Sequence, residues 1–142
     1  MVPIRKIGII VQRQGRVLLC RKRHTTSSWI LPGGKPSTGE SAPDCLRREL
    51  KEELGPTIGV KQIRWLGRYE HRAAHDDPAV QRQVAIELYA GVLVGDPEAR
   101  AEIAEITWFA PSEDWNELAP SLRESIFPDL IARRLLEGNW RR

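Results

Sequence analysis

GKPSTGESAPDCLRRELKEELGP, residues 34–56, passes from a loop of small and polar residues into helical spacing. Ser41 is placed to cap a helix, Asp44 follows three residues later as in a capping box, and Pro43 is tolerated in the first turn. Leu46, Leu50 and Leu54 recur at i, i+4 and i+8 as one apolar stripe, and Gly55-Pro56 ends the helix. Glu49, Glu52 and Glu53 stand at i, i+3 and i+4 and share a face. At roughly 100° per residue, Glu53 falls beside Leu46 and Leu50, which predicts a carboxylate at the margin of the core.

Such a cluster has two readings. Two carboxylates ~5 Å apart repel by about 1 kcal/mol in water, and by about 3 kcal/mol at an effective dielectric of ~20. Exposed, the cluster needs no function, and Arg48–Glu52 is an ordinary i,i+4 ion pair. Half-buried, it needs a cation or raised pKa values. Oxygens with few His or Cys nearby suit a hard ion such as Mg²⁺ or Mn²⁺. Cys45 shares the face of Glu49 and Glu52 and reads as a packing residue.

Outward from the helix, the pattern is mostly strand. Ile4–Gln12 and Arg16–Lys22 flank Gln14-Gly15, which predicts a β-hairpin. Trp29-Ile30-Leu31 is a short apolar run that Pro32-Gly33-Gly34 stops. Val60–Tyr69, Val80–Val94 and Ile103–Phe109 read as strands, with a charged loop from His71 to Pro78. A short helical turn is expected over 111–117, and a C-terminal helix over Ser121–Glu137 that buries Leu122, Ile126, Leu130, Ile131 and Leu135. Strands, a helix, more strands and a last helix predict one α/β domain over residues 1–142, a mixed β-sheet flanked by helices.

Composition bounds the class. With 142 residues, 41% hydrophobic and 29% charged, the chain can fill one core without disulfides or a structural metal. The longest apolar run, Val84–Val94, contains Glu87 and is too short to span a membrane. MVPIRKIGII lacks a signal-peptide layout, so a cytoplasmic protein is expected. The net charge of +3 suits a small anionic substrate and is too mild to imply a nucleic-acid partner. Cys20 and Cys45, without a CxxC, argue for two reduced thiols.

The full spacing is more specific than any of its parts. Gly34, five residues, Glu40, seven residues, Arg48-Glu49-Leu50, one residue, Glu52-Glu53, one residue and Gly55 resemble the Nudix box of the Nudix hydrolases, which include the MutT-like nucleotide pyrophosphohydrolases. Every fixed letter matches; only the last aliphatic position departs, where Pro56 stands at the periphery. Trp29-Ile30-Leu31-Pro32-Gly33 is similar to the usual lead-in. The order of elements also resembles the family's α/β/α sandwich.

The resemblance implies hydrolysis of a nucleoside diphosphate linked to another moiety, by attack of water on phosphorus, with Mg²⁺ or Mn²⁺ as cofactor. Glu49, Glu52 and Glu53 would be the metal ligands, Glu53 the most critical, and a carbonyl at Gly33 or Gly34 would complete the shell. Arg48 and Glu40 would position them. A general base is expected in the loop before the last Trp-containing strand, where Glu102 is preferred to Glu105; glutamates of the box also serve as base in this family. Arg21 and Arg23, on one face of a strand end, are expected at the substrate phosphates, as is Lys35; Lys22 reads equally as a solvated strand end. Trp29, Trp65, Trp108 and Trp115 read as packing residues, and His71, Arg72 and His75 occupy a polar loop.

The downstream residues that mark the ADP-ribose, diadenosine polyphosphate and NADH subfamilies are not found. The short chain therefore favours nucleoside triphosphates. Dinucleoside polyphosphates, diphosphoinositol polyphosphates and RNA 5′-pyrophosphates stay open. So does a non-catalytic nucleotide-sensing module, against which the intact run from Arg48 to Glu53 speaks. Homodimers are common in similar proteins, though nothing in the sequence fixes an interface.

Overall fold

A computed structural model describes residues 2–140. The chain forms β1 (Ile4–Ile10), β2 (Gln12–Arg13), β3 (Arg16–Lys22), β4 (Gly33–Gly34), α1 (Ala42–Leu54), β5 (Gly59–Arg72), β6 (Gln83–Val94) and β7 (Ile103–Phe109). A 3₁₀ turn at Trp115–Glu117 and a π-helical turn at Leu122–Ile126 precede α2 (Phe127–Ala132). Among the described residues, no helix is long and apolar enough to cross a membrane.

Two sheets replace the single one expected. The first has the order β4-β1-β6-β5 and is mixed, with β1 parallel to β6 and the other pairs antiparallel. The second is β2-β3-β7. The expected hairpin survives only at its tip, where Gln14 and Gly15 take positive φ and Gln12–Arg13 pairs with Arg16–Val17. At Val11 the chain changes sheets, so β1 pairs with β6 instead of running along β3. Pro32-Gly33-Gly34 does not end all pairing either: Gly33 and Gly34 form β4 against Gly8 and Ile7.

β1 is buried on both faces, as a strand with a parallel neighbour should be. Ile7 and Ile9 pack with Leu46, Leu50 and Leu54 of α1. Ile10 turns the other way, to a core of Ile86, Leu88, Phe127 and Leu130 beneath the C-terminal helical segment. Helices therefore cover the mixed sheet on both sides. Trp65, expected as a packing residue, is 53% exposed and meets Tyr89 edge-on.

The C-terminal helix differs from its expected span at both ends. Pro128 has no N–H and its ring crowds the carbonyl four residues back. The turn before it widens accordingly, and the Phe127 N–H donates to the Leu122 carbonyl in an i→i+5 bond. The helix then stops at Ala132, well before Glu137. Arg134 takes φ +56°, Arg134 N–H donates to Ile131 O at 3.0 Å, and Leu135 N–H donates to Leu130 O at 2.9 Å. Those are the paired bonds of a Schellman end, formed with arginine where glycine is usual. The tail folds back: Gln12 Nε2 donates to Leu135 O at 3.0 Å, and Trp140, 6% exposed, packs against Phe109 and Phe127.

Arg134→Gly relieves a left-handed conformation that costs a side-chain-bearing residue about 1 kcal/mol. The variant should gain stability of about that size in urea unfolding; an unchanged or lower midpoint would contradict the assignment of this helix end.

Candidate functional site

The site begins where α1 meets β4, and two glycines allow the approach. Gly33 has φ +136°, and a Cβ there would stand 2.0 Å from the Ile7 carbonyl oxygen. At Gly34 a Cβ would stand 2.3 Å from the carboxyl carbon of Glu49. With both side chains absent, the Gly33 N–H donates to Glu53 Oε1 at 3.0 Å. The other end of the helix turn is fastened too: Arg100 N–H and Glu98 N–H donate to the carbonyls of Glu53 and Leu54, each at 2.9 Å.

Glu53 is 3% exposed, as its place beside the leucine stripe predicts. Burial pushes its carboxyl up to about 7, against the opposing influence of the Lys6 charge and the Gly33 N–H. Glu49 is also raised by burial, although Arg48 opposes the shift. The thiols of Cys20 and Cys45 are pushed up by burial to about 12 and about 11, so neither is a thiolate donor.

Arg48 organises the acidic face. Its Nε and Nη2 donate to the two carboxylate oxygens of Glu40, each at 2.9 Å, in a bidentate pair. Its Nη1 reaches Glu49 at 2.9 Å and Glu52 at 3.5 Å, and its Nη2 also holds the Lys35 carbonyl at 3.1 Å. Glu40 in turn accepts from Ser37 N–H at 3.0 Å, which ties the loop to the helix. Only half of the expected capping box forms. Ser41 Oγ accepts from Asp44 N–H, while the Asp44 carboxylate pairs with Arg47 at 3.3 Å.

Beside this face lies a cavity of about 670 Å³ on the α2 side of the mixed sheet. Gly33, Gly34, Lys35, Glu49 and Glu102 line it, so Glu102 and Glu49 share one cavity. Glu53 is set behind Gly33, and Glu52 is exposed beside Arg48. Arg21 and Arg23, expected at the substrate phosphates, do not line the cavity. Arg21 pairs with Glu105 at 3.1 Å and lies 3.9 Å above the Trp29 ring. Arg23 donates to the Ala101 carbonyl and, through its backbone, to the Glu102 carbonyl, so it fastens the loop that carries Glu102. The cause is a bulge: the β3–β7 register shifts between Arg21 and Lys22, which breaks the alternation. Lys22 lines the cavity instead.

Lys6 is the residue that sequence reasoning missed. It lies half-buried in the floor, its ammonium donates to the Leu31 carbonyl at 3.1 Å, and burial lowers its pKa. The available signal was a lysine sharing a strand face with Ile4 and Gly8 in a strand that reads IRKIGII. None of Lys6, Lys22 and Lys35 takes part in an ion pair among the described residues, whereas Arg5, Arg21 and Arg48 are all paired.

Among the described residues, no three acidic, histidine or cysteine side chains close into a set that could hold a metal ion. Glu49 and Glu52 turn to Arg48 and Glu53 turns to Gly33. The donor chemistry nevertheless fits a hard divalent cation. Glu49 and Glu53 are carboxylates pushed toward neutrality by burial, and a cation beside them favours the charged form.

Comparison with known proteins agrees with this architecture. Residues 3–130 match the model of the NUDIX domain. A stretch of 112 residues, 72% of this chain, is 33% identical to an isopentenyl-diphosphate Delta-isomerase of Rhodobacter capsulatus and spans 61% of that protein. Another of 107 residues, 70% of this chain, is 28% identical to the nucleoside triphosphatase NudI of an Enterobacter species and spans 76% of it. The crystal structure of a putative Nudix hydrolase family member from Chromobacterium violaceum superposes with a TM-score of 0.69 at 25% identity, covering 96% of this chain and 82% of that one. The chain belongs to the Nudix family.

Two outcomes test the geometry. Gly33→Ala sets a methyl group into the Ile7 carbonyl and should destabilise the fold by about 3 kcal/mol or more, measured by chemical unfolding. The Arg48 guanidinium and the Ser37 N–H hold Glu40 down to about 2, from an ordinary 4.5. Its stabilising contribution is present above pH 4.5 and disappears as pH falls through about 2. Glu40→Gln should therefore be less stable than the parent at neutral pH, and the difference should vanish near the lower value.

Proposed function

We propose that this protein is a divalent-metal-dependent hydrolase that cleaves a phosphoanhydride bond in nucleoside triphosphates. Nudix hydrolases are pyrophosphohydrolases that generally need divalent metal ions. The observation that carries the proposal is the cavity itself, where Lys6, Lys22 and Lys35 have no ion-pair partner among the described residues and stand beside the glutamate face of α1. Unpaired cations in a concave site attract a polyanion.

Glu49, Glu52 and Glu53 would hold Mg²⁺ or Mn²⁺ together with the carbonyl of Gly33 or Gly34. When bound, the ion neutralises anhydride charge and lowers the pKa of the attacking water. Arg48 positions Glu49 and Glu52, and Gly33 positions Glu53. Lys6, Lys22 and Lys35 bind the phosphate oxygens. Glu102 takes the proton from water as its oxygen bonds to phosphorus and the bridging P–O bond breaks.

The remaining wall favours a nucleoside over a plain hydrocarbon. Ile30, Leu31, Val84 and Ile86 make it aliphatic, yet Thr26 and Ser121 are buried there too. The Ser121 hydroxyl makes no capping bond and has no partner among the described residues. The polar edge of a base or a ribose satisfies it; a hydrocarbon leaves it without a hydrogen bond.

Phosphate and pyrophosphate release across a nucleotide panel, with Mg²⁺, Mn²⁺ or EDTA, tests the reading. Metal-dependent release from triphosphates is expected, and tight nucleotide binding without turnover would favour a sensing module. Glu53→Gln keeps the side-chain volume, so the protein should stay folded while turnover falls more than about 100-fold. Glu102→Gln should slow catalysis by roughly 10²–10⁴-fold with metal affinity little changed. Unchanged rates in either variant would remove that residue from its role.

A further inference from the structure

The floor of the cavity carries a charge pattern that a triphosphate alone does not use. Ile4 and Lys6 of β1 lie in register with Val84 and Ile86 of β6, and all four line the cavity. The same alternation, carried back from Val84, brings Arg82 to the same wall, and Arg82 lines the cavity as well. Lys6 stands opposite Ile86, so its backbone position is four residues of extended chain, roughly 13 Å, from that of the exposed Arg82. Between them the floor is aliphatic. Lys6 and Arg82 thus stand at separate places along the floor, and Lys22, Lys35, Glu49, His75 and Glu102 line the same cavity.

The stretch around Arg82 is a built feature. Ala73 N–H donates to Arg82 O at 2.8 Å, which extends the β5–β6 pairing beyond Arg72 and Gln83. The loop beyond is strapped across the cavity to residues 25–27. Asp76 N–H donates to Thr25 O at 3.2 Å, and the Asp76 carboxylate accepts from Ser27 N–H at 2.9 Å and Ser27 Oγ at 3.0 Å. The neighbouring Asp77 carboxylate accepts from Ala79 N–H at 2.9 Å. Both acids of the loop are thereby committed to loop hydrogen bonds, and Arg82 has no ion-pair partner among the described residues.

We propose that the preferred substrate is a phosphoanhydride whose organic part bears a second phosphoryl group, received by Arg82 and His75 while the anhydride lies against Lys6 and Lys22. This rests on the phosphoanhydride reading above and adds a second anion-binding anchor to it. A nucleotide phosphorylated on both the 5′ and the 3′ side of its ribose has the required two-ended charge. A plain nucleoside triphosphate carries charge at one end only. The second group has two sources, the 3′-phosphate of a small nucleotide or the first phosphodiester of a 5′-triphosphorylated RNA.

The test measures kcat/KM for adenosine 5′-triphosphate, its 3′-phosphorylated derivative and the 5′-triphosphorylated dinucleotide pppApA. Each is assayed with the parent protein and with Arg82→Gln in the presence of Mg²⁺. One of the two-ended substrates should exceed the plain triphosphate by about tenfold, the factor expected from one charge-assisted contact. Arg82→Gln should bring that ratio toward one. Preference for the 3′-phosphate identifies a small nucleotide, and preference for the dinucleotide identifies an RNA end. If the plain triphosphate is hydrolysed as well as either, or if Arg82→Gln leaves the ratio unchanged, the second anchor is refuted and the hydrolase reading stands. If none of the three is cleaved, the hydrolase reading falls first.

Discussion

The hydrogen bond from the Gly33 N–H to Glu53 is the contact on which the rest of this site depends. It requires that a strand and a helix approach within backbone distance, and Gly33 and Gly34 permit that by having no side chains to interpose. The approach seals Glu53 away from water, which makes its charge expensive to hold. It also brings the Glu49 carboxylate against Gly34, at the mouth of the cavity. Packing and the proposed chemistry are therefore one constraint here: whatever loosens the strand-to-helix contact hydrates the carboxylate proposed to hold the metal.

Charge is distributed in two different ways across the molecule. Around α1, arginines are paired with carboxylates: Arg47 with Asp44, and Arg48 with Glu40, Glu49 and Glu52. Such pairs fix geometry, and the bidentate contact with Glu40 fixes the loop as well as the helix. Inside the cavity Lys6, Lys22, Lys35 and Arg82 have no ion-pair partner among the described residues. In the proposed reading such a side chain is open to an incoming anion, where a paired one would first have to release its partner.

Local rules in the sequence were reliable wherever periodicity alone decided. The leucine stripe of α1 placed Glu53 at the core margin, and its burial follows from that spacing. The failures share a physical origin in departures from periodicity. The bulge after Arg21 reverses which basic residue faces the cavity, and no local signal marks it. The change of sheets at Val11 depends on a strand, β6, that lies more than seventy residues away along the chain. At Arg134 a left-handed helix end is filled by an arginine, so the glycine that would announce it is missing. Lys6 was overlooked because its role is visible only when β6 closes one side of the cavity and the segment after Leu118 closes another.

The fold-back of the tail has a consequence for how this chain acquires its structure. Trp140 fills the core around Phe109 and Phe127, and its ring nitrogen donates to the carbonyl of Gly15, 125 residues earlier. Gln12 grips the same tail through both ends of its amide. The first hairpin is thus made early in synthesis and finds its partners last. Contacts of such sequence separation slow folding, because the loop they close must be ordered before the contact returns anything. Until residue 140 has been synthesised, the aromatic core beneath α2 has an open side, and the nascent chain exposes the surface most prone to association with its neighbours.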